Sequence, residues 1–346
     1  MDTDVTHIGT WPPEGAAPTV DHLVAIVRAA ELAGFEGLLV PTSYHNTLDN
    51  FTTAAAVLAH TGSAHLLLAI RPHQYHPTHA AMMLASLGTL FPGRIRINVT
   101  TGGWDEDRWI GNDEDRATRS ARLEEWLEVL TSVLYGTKPL RHSGRFYSAD
   151  GARLRSPLRD RLHIAMSGSS PQSRRTLARF GSEYLMFAAP PDDVRAEIAR
   201  LRSTPGCEAV AATMRVHLIV RPTEDEARRA ADDLVSRVDP RVREKIRAQR
   251  HEATSQRTRQ NELAASEDLY VAPNLWAGVG TGRFGAATAL VGSPDQIADR
   301  LAEYQEAGVR GFILSGYPKL EECRRFENLM TPVLRERGLL VTSDMP

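Results

Sequence analysis

A cadence repeated three times constrains the fold most: an amphipathic helix, a glycine, a short polar spacer and an apolar run. It occurs at Ala33-Gly34-Phe35-Glu36-Gly37-Leu38-Leu39-Val40, at Phe180-Gly181-Ser182-Glu183-Tyr184-Leu185-Met186-Phe187 and at Ala307-Gly308-Val309-Arg310-Gly311-Phe312-Ile313-Leu314. A glycine just past a helix end adopts the left-handed conformation without the penalty a Cβ brings, and a strand apolar at every position is covered on both faces, as parallel strands are. The cadence therefore predicts αβ units of a parallel sheet. Apolar runs at Leu66 to Ile70, Ile95 to Val99, Leu162 to Met166 and Met214 to Val220, with a short first strand near Thr6 to Thr10, bring the strand count to eight.

Eight parallel strands alternating with helices in 346 residues predict an α/β fold, a (β/α)8 TIM barrel forming a single domain over 1–346. No G-x-G-x-x-G follows the first strand, which counts against an open dinucleotide-binding sheet. Helix starts are marked at Ser293-Pro294-Asp295-Gln296 and at the capping box Thr223-Glu224-Asp225-Glu226. Leu123, Trp126, Leu127, Leu130, Val133 and Leu134 form a helical apolar stripe that reads as core. Residues 239–292 are too long for an ordinary connection and read as an insertion between strand seven and the following helix, its Arg- and Gln-rich start from Arg241 to Asn261 a solvated helix.

A net charge of −2 argues against nucleic-acid or membrane-surface partners, although a local cationic pocket is compatible with it. Cys207 and Cys323 lack metal-ligand or disulfide-framework spacing, and His60, His65, His73, His76 and His79 lack a facial-triad pattern, so no metal is expected. The chain shows neither a signal-like start nor an eighteen-residue uncharged stretch, so the expected location is the cytoplasm.

In such a barrel the working residues lie at the carboxyl ends of the strands. Those ends read Pro41-Thr42-Ser43-Tyr44-His45, Arg71-Pro72-His73, Asn98-Val99-Thr100-Thr101-Gly102-Gly103 and Ser167-Gly168-Ser169-Ser170-Pro171. The serine cluster suits a phosphate at a helix N-terminus, and it equally suits an ordinary helix cap. In Met214-Arg215-Val216-His217-Leu218-Ile219-Val220-Arg221, alternation puts Arg215, His217 and Ile219 on one face. An inward arginine needs an anionic partner, either a protein carboxylate or a bound anion. Arg283 sits in the glycine-rich tract Thr281 to Gly292, either as a mobile closing group or as a surface arginine, and Leu314-Ser315-Gly316-Tyr317-Pro318 puts a tyrosine hydroxyl at the mouth.

Together these segments resemble the bacterial luciferase-like flavin monooxygenases, and within them the FMNH2-dependent alkanesulfonate monooxygenases. General marks are Arg71-Pro72, Pro77 with Ala80-Ala81, Phe91-Pro92-Gly93-Arg94 and Asn98 through Gly102. Those of the sulfonate branch are Arg215 through Arg221, Pro273 through Gly280, Ala287 through Gly292 and Ser315-Gly316-Tyr317-Pro318. The resemblance implies a two-component enzyme that takes FMN as FMNH2 from an NAD(P)H-dependent FMN reductase and uses O2 to oxygenate a small organosulfur anion, a sulfonate giving sulfite and an aldehyde. It implies Arg215, His217, Arg283 and Tyr317 as catalytic, with Arg283 on a mobile active-site loop. The flavin phosphate would lie on Ser167, Gly168, Ser169 and Ser170, and the ring near Asn98, Thr100 and Thr101. A homodimer or homotetramer is also implied.

The chain departs from that branch at three points on the pocket wall. The branch's cysteine after strand two is replaced by Ser43-Tyr44-His45-Asn46-Thr47-Leu48-Asp49, its tryptophan near the end of strand six by Phe187, and its aromatic-rich first strand by Gly9-Thr10-Trp11. Tyr44, His45 and Phe187 are therefore expected beside Arg215 and Arg283 as substrate-binding groups, with a role-free surface loop as the other reading of Tyr44 and His45. The alternatives are a flavin monooxygenase of another substrate, such as a sulfone, a sulfur amino acid or an amine, a non-catalytic flavin- or anion-binding barrel, and a deazaflavin-dependent dehydrogenase.

Overall fold

The computed structural model describes residues 19–44, 48–103, 105–248, 255–282 and 285–339, so the first strand expected near Thr6 to Thr10 lies outside the described residues. Helix α1 (Val20–Leu32) leads to β1 (Gly37–Val40), α2 (Asn50–Leu58) to β2 (His65–Ile70), and α3 (Pro77–Leu90) to β3 (Ile95–Val99). Helix α4 (Arg116–Tyr135) is followed by a small hairpin, β4 (Leu140–Ser143) and β5 (Ser148–Ala152), and then β6 (His163–Ser167). The cadence resumes with α5 (Pro171–Phe180), β7 (Glu183–Phe187), α6 (Pro191–Arg202), β8 (Ala211–Val220) and α7 (Glu224–Ser236). After α8 (Pro240–Ala248), α9 (Ser255–Leu263), β9 (Tyr270–Ala272), β10 (Leu275–Trp276) and β11 (Ala289–Gly292) come α10 (Pro294–Glu306), β12 (Gly311–Ser315) and α11 (Lys319–Glu336).

Strands β1, β2, β3, β6, β7 and β8 pair in parallel in that order, and β12 pairs in parallel with the lower half of β8. Leu39 of β1 and Ile313 of β12 meet Leu67, Ala165 and Leu185 in one buried cluster. The two margins of a flat sheet cannot share such a cluster, so the sheet curls into a TIM barrel whose interior is a packed layer of side chains. The alternate residues Leu38, Leu66, Leu68, Ile97, Met166, Tyr184, Met214 and Phe312 face outward into the larger core beneath the helices, joined by the α4 stripe.

Local sequence explains the joints. Gly34 and Gly308 take φ of 90° and 107° after α1 and α10, whereas Gly181 stays extended at φ −92°, against expectation; there the glycine makes room for the Leu177 side chain, which a Cβ would strike. Ser293 and Gln296 form the full capping box that opens α10, and Thr223 accepts from the Glu226 amide to open α7.

Residues 239–292 enter after α7, and their last strand, β11, pairs in parallel with the upper half of β8. Their start is helical over α8 and α9, as expected, but it is not solvated on every side. Ile246, Gln260 and Leu263 are buried, and Gln260 bridges Ala188 O and the Ala287 amide at 2.8 Å each, pinning α9 to the end of β7. Both cysteines are buried and outside any disulfide, and no helix among the described residues is long and apolar enough to cross a membrane.

Candidate active site

Strand β8 carries the first group. Arg215 and His217 point inward with only 7% and 2% of their surface exposed, while Ile219 further along packs under the insertion against Trp276 and Ala289. His217 Nδ1 lies 2.8 Å from Ser315 Oγ at the end of β12, and the Tyr317 ring stands 5.6 Å from the imidazole at 33°. Phe187 is the neighbour of Arg215 in the β7–β8 register. The barrel thus brings Phe187, Arg215, His217, Ser315 and Tyr317 together at its carboxyl mouth. A cation, an imidazole and two hydroxyls in so dry a setting can bind an anion and move a proton.

The turn between His217 and Tyr317 is braced from behind. A Cβ on Gly316 would lie 2.6 Å from Glu322 Cβ, so the backbone rests on that side chain. The Glu322 carboxylate takes both Arg221 nitrogens at 3.1 and 3.2 Å and Arg325 at 2.8 Å; burial pushes its pKa above the usual range despite these cations. The end of β8 and the start of α11 are thereby tied together.

A second group joins the loops after β1, β2 and β3, and of its members only Glu106 and Asp107 were absent from the strand-end residues read in the sequence. The Arg71 guanidinium meets Glu106 at 2.5 Å and Asp107 at 2.7 Å, and donates to Thr42 O at 2.8 Å. His73 Nε2 stands 3.1 Å from Asp107. The Gly103 amide donates to Asp107 at 2.6 Å, and Ser43 Oγ and the Tyr44 amide donate to Glu106 Oε2 at 2.6 and 3.0 Å. In sequence Glu106 and Asp107 lie in an exposed-looking charge run, which hid them; only a partner as distant as Arg71 marks them as buried. Tyr44 belongs to this group, on the rim beside Trp109.

The expected cofactor-binding residues line the same mouth. Asn98 is on the inner side of β3, where its Oδ1 is buried with no hydrogen-bond partner, and the half-buried Thr100 and Thr101 follow. Ser167 ends β6. Gly168 takes φ +124°, and a Cβ there would meet Ser173 Oγ at 2.8 Å. Ser170 caps α5 by accepting from the Ser173 amide at 3.1 Å, with the two hydroxyls 2.8 Å apart. The cap reading of Ser170 is thus realised, and Ser173 joins the cluster. A buried acceptor awaiting a donor, with a glycine cradle at a helix N-terminus, fits a flavin with its phosphate. His45 and Arg283 lie outside the described residues. Among the described residues no three or more His, Cys, Asp or Glu are grouped to hold a metal ion.

Residues 4–311 match the family described as luciferase-like monooxygenase. Among solved structures, the EDTA monooxygenase from Chelativorans sp. BNC1 superposes with a TM-score of 0.82 at 17% identity, over 99% of this chain and 96% of that one. The protein DmoA from Hyphomicrobium sulfonivorans gives 0.79 at 16%, over 99% and 88%. A riboflavin lyase solved with modified FMN and riboflavin gives 0.77 at 18%, over 100% and 92%. At these identities the likeness is one of fold.

Proposed function

From the premise that this chain belongs to the luciferase-like monooxygenase family, matched over residues 4–311, we propose that it is the oxygenating component of a two-component, FMNH2-dependent system acting on a small organosulfur anion, specifically a sulfonate. The observation that carries this reading is the buried pair Arg215 and His217, facing inward with Ser315 and Tyr317 beside the imidazole. A guanidinium in a dry pocket offers forked donors to an oxyanion and binds it far more strongly than it would in water.

Reduced FMN, when bound, would supply the two electrons with which O2 is activated. Asn98, Thr100 and Thr101 would hold its ring, and Ser167, Gly168, Ser169 and Ser170 its phosphate. Arg215 orients the sulfonate so that its α-carbon faces the flavin side of the mouth. One oxygen atom goes to that carbon and the other to water; the C–S bond breaks with its electron pair on sulfur, giving an aldehyde, sulfite and one proton. His217, its ring held by the Ser315 contact, and Tyr317 are the groups placed to take or give protons. Arg283 would close over the bound substrate and exclude water, and His45 would join Tyr44 and Phe187 at its organic end. An NAD(P)H-dependent FMN reductase is the partner this chemistry requires, and we place the enzyme in the cytoplasm as a homodimer or homotetramer.

The test incubates the purified protein with a flavin reductase, NADH, FMN, O2 and a panel of sulfonates, and measures sulfite. Sulfite is expected, with release lost in His217→Asn. No sulfite from any member overturns desulfonation. Oxygen-18 found in a sulfone, a sulfur amino acid or an amine would then reassign the substrate.

A further inference from the structure

Seven large apolar side chains stand exposed among the described residues, and three of them, Tyr44 at 45%, Trp109 at 63% and Ile110 at 40%, belong to the loops at one side of the barrel mouth. The Tyr44 and Trp109 rings lie 6.3 Å apart, tilted by 48°. Their mounting is shared: Glu106 Oε2 holds Ser43 and the Tyr44 amide, and Glu106 lies in the 3-10 turn Asp105–Ile110 that carries Trp109 and Ile110. Arg71 fixes that carboxylate from below. Rings exposed to water on so rigid a base are placed for contact with an apolar partner.

The neighbouring charges indicate what that partner is. Arg108, next to Trp109, is turned onto Asp113 at 2.9 Å, and Arg71 is engaged by Glu106 and Asp107. The rim therefore presents hydrocarbon where Arg215, deep on β8, presents a cation. The same loop that carries Trp109 runs back through Gly103 to Thr101, Thr100 and Asn98, so the rim continues the candidate site.

We propose that Tyr44, Trp109 and Ile110 form the specificity surface for the apolar end of the substrate. The preferred substrate is an amphiphile with a small anionic head and an alkyl or aryl tail of several carbons. This rests on the sulfonate reading for the head and adds the tail. The test titrates the full-length protein and its variants with ethanesulfonate, octanesulfonate, octanoate and octylamine by isothermal titration calorimetry, and in the unmutated protein also follows the component of tryptophan fluorescence that Trp109→Phe removes. Octanesulfonate is expected to bind at least about tenfold more tightly than ethanesulfonate, and that ratio to fall roughly tenfold in Trp109→Ala and in Tyr44→Ala, the effect of losing one apolar contact surface. If octanoate and octylamine perturb Trp109 while no sulfonate binds, the rim stands and the sulfonate head is wrong. If octyl and ethyl compounds bind alike, or the ratio survives both alanine variants, the proposal is overturned. It is equally overturned if Trp109→Ala lowers the molecular mass in solution and leaves the ratio intact, because the rim is then a subunit contact.

Discussion

Arg71 holds three loops through one guanidinium, and its removal shows what a buried cation is worth. Glu106 and Asp107 would remain as buried carboxylates without their main counter-charge, so Arg71→Met is expected to cost about 3–5 kcal/mol in urea unfolding, far more than the loss of an exposed pair. Gly168 makes a different demand. Its φ of +124° and the nearby Ser173 leave no room for a side chain, so Gly168→Ala must bend the loop at a strain of roughly 1–3 kcal/mol. Because the flavin phosphate needs the undistorted loop, FMN binding measured by flavin fluorescence should weaken about tenfold, equivalent to about 1.4 kcal/mol, while the melting temperature falls by no more than about a few degrees. Arg215, His217 and Tyr317 were legible because strand alternation and position at strand ends are local signals. Ser315 carried no such signal of its own, because its role depends on β12 lying beside β8. Glu106 and Asp107 were hidden because a charge run looks solvated until its distant partner is known.

Among the elements, the β4–β5 hairpin had no sequence signature: its strands alternate weakly, and only one residue of its turn, Tyr147, is deeply buried. What secures it is Glu125 of α4, which accepts from the amides of Phe146 and Tyr147 at 3.1 and 2.8 Å and stands 3.2 Å from His142 Nε2. Burial alone would raise the Glu125 pKa, but those amides and the imidazole outweigh it and the net shift is downward. A carboxyl depressed in the folded state stabilises fully above its unfolded value and loses that contribution as pH falls through the folded one. Glu125→Gln is therefore expected to cost about 1–3 kcal/mol near neutral pH, the range for a charged hydrogen bond, and to flatten the acid limb of a stability-versus-pH curve measured by urea unfolding. The helical start of the insertion, α8 and α9, differs from its sequence pattern for a related reason. Their polar composition suggests solvent on every side, yet Gln260 is buried, because its amide satisfies two backbone groups at once.

For the whole molecule, the parallel barrel was legible because three glycine cadences and four apolar runs are short-range patterns that only a sheet covered on both faces explains. The inner layer of Leu39, Leu67, Ala165, Leu185 and Ile313 tests that closure. Leu185→Ala should lower global stability by about 2–5 kcal/mol with an unchanged denaturant slope, because the cavity lies where all the strands converge. Finally, β8 is ten residues long and serves three neighbours: β7 follows it from Ala211 to Arg215, β12 from Thr213 to His217, and β11 from His217 to Val220. His217 is the branching point, bonded through its backbone to Thr288 and through its ring to Ser315. The insertion is thus a cassette spliced onto the wall beside the imidazole to which we assign proton transfer. Exchanging residues 239–292 between relatives would retune proton transfer along with substrate choice, which makes this segment a poor target for swapping specificity alone.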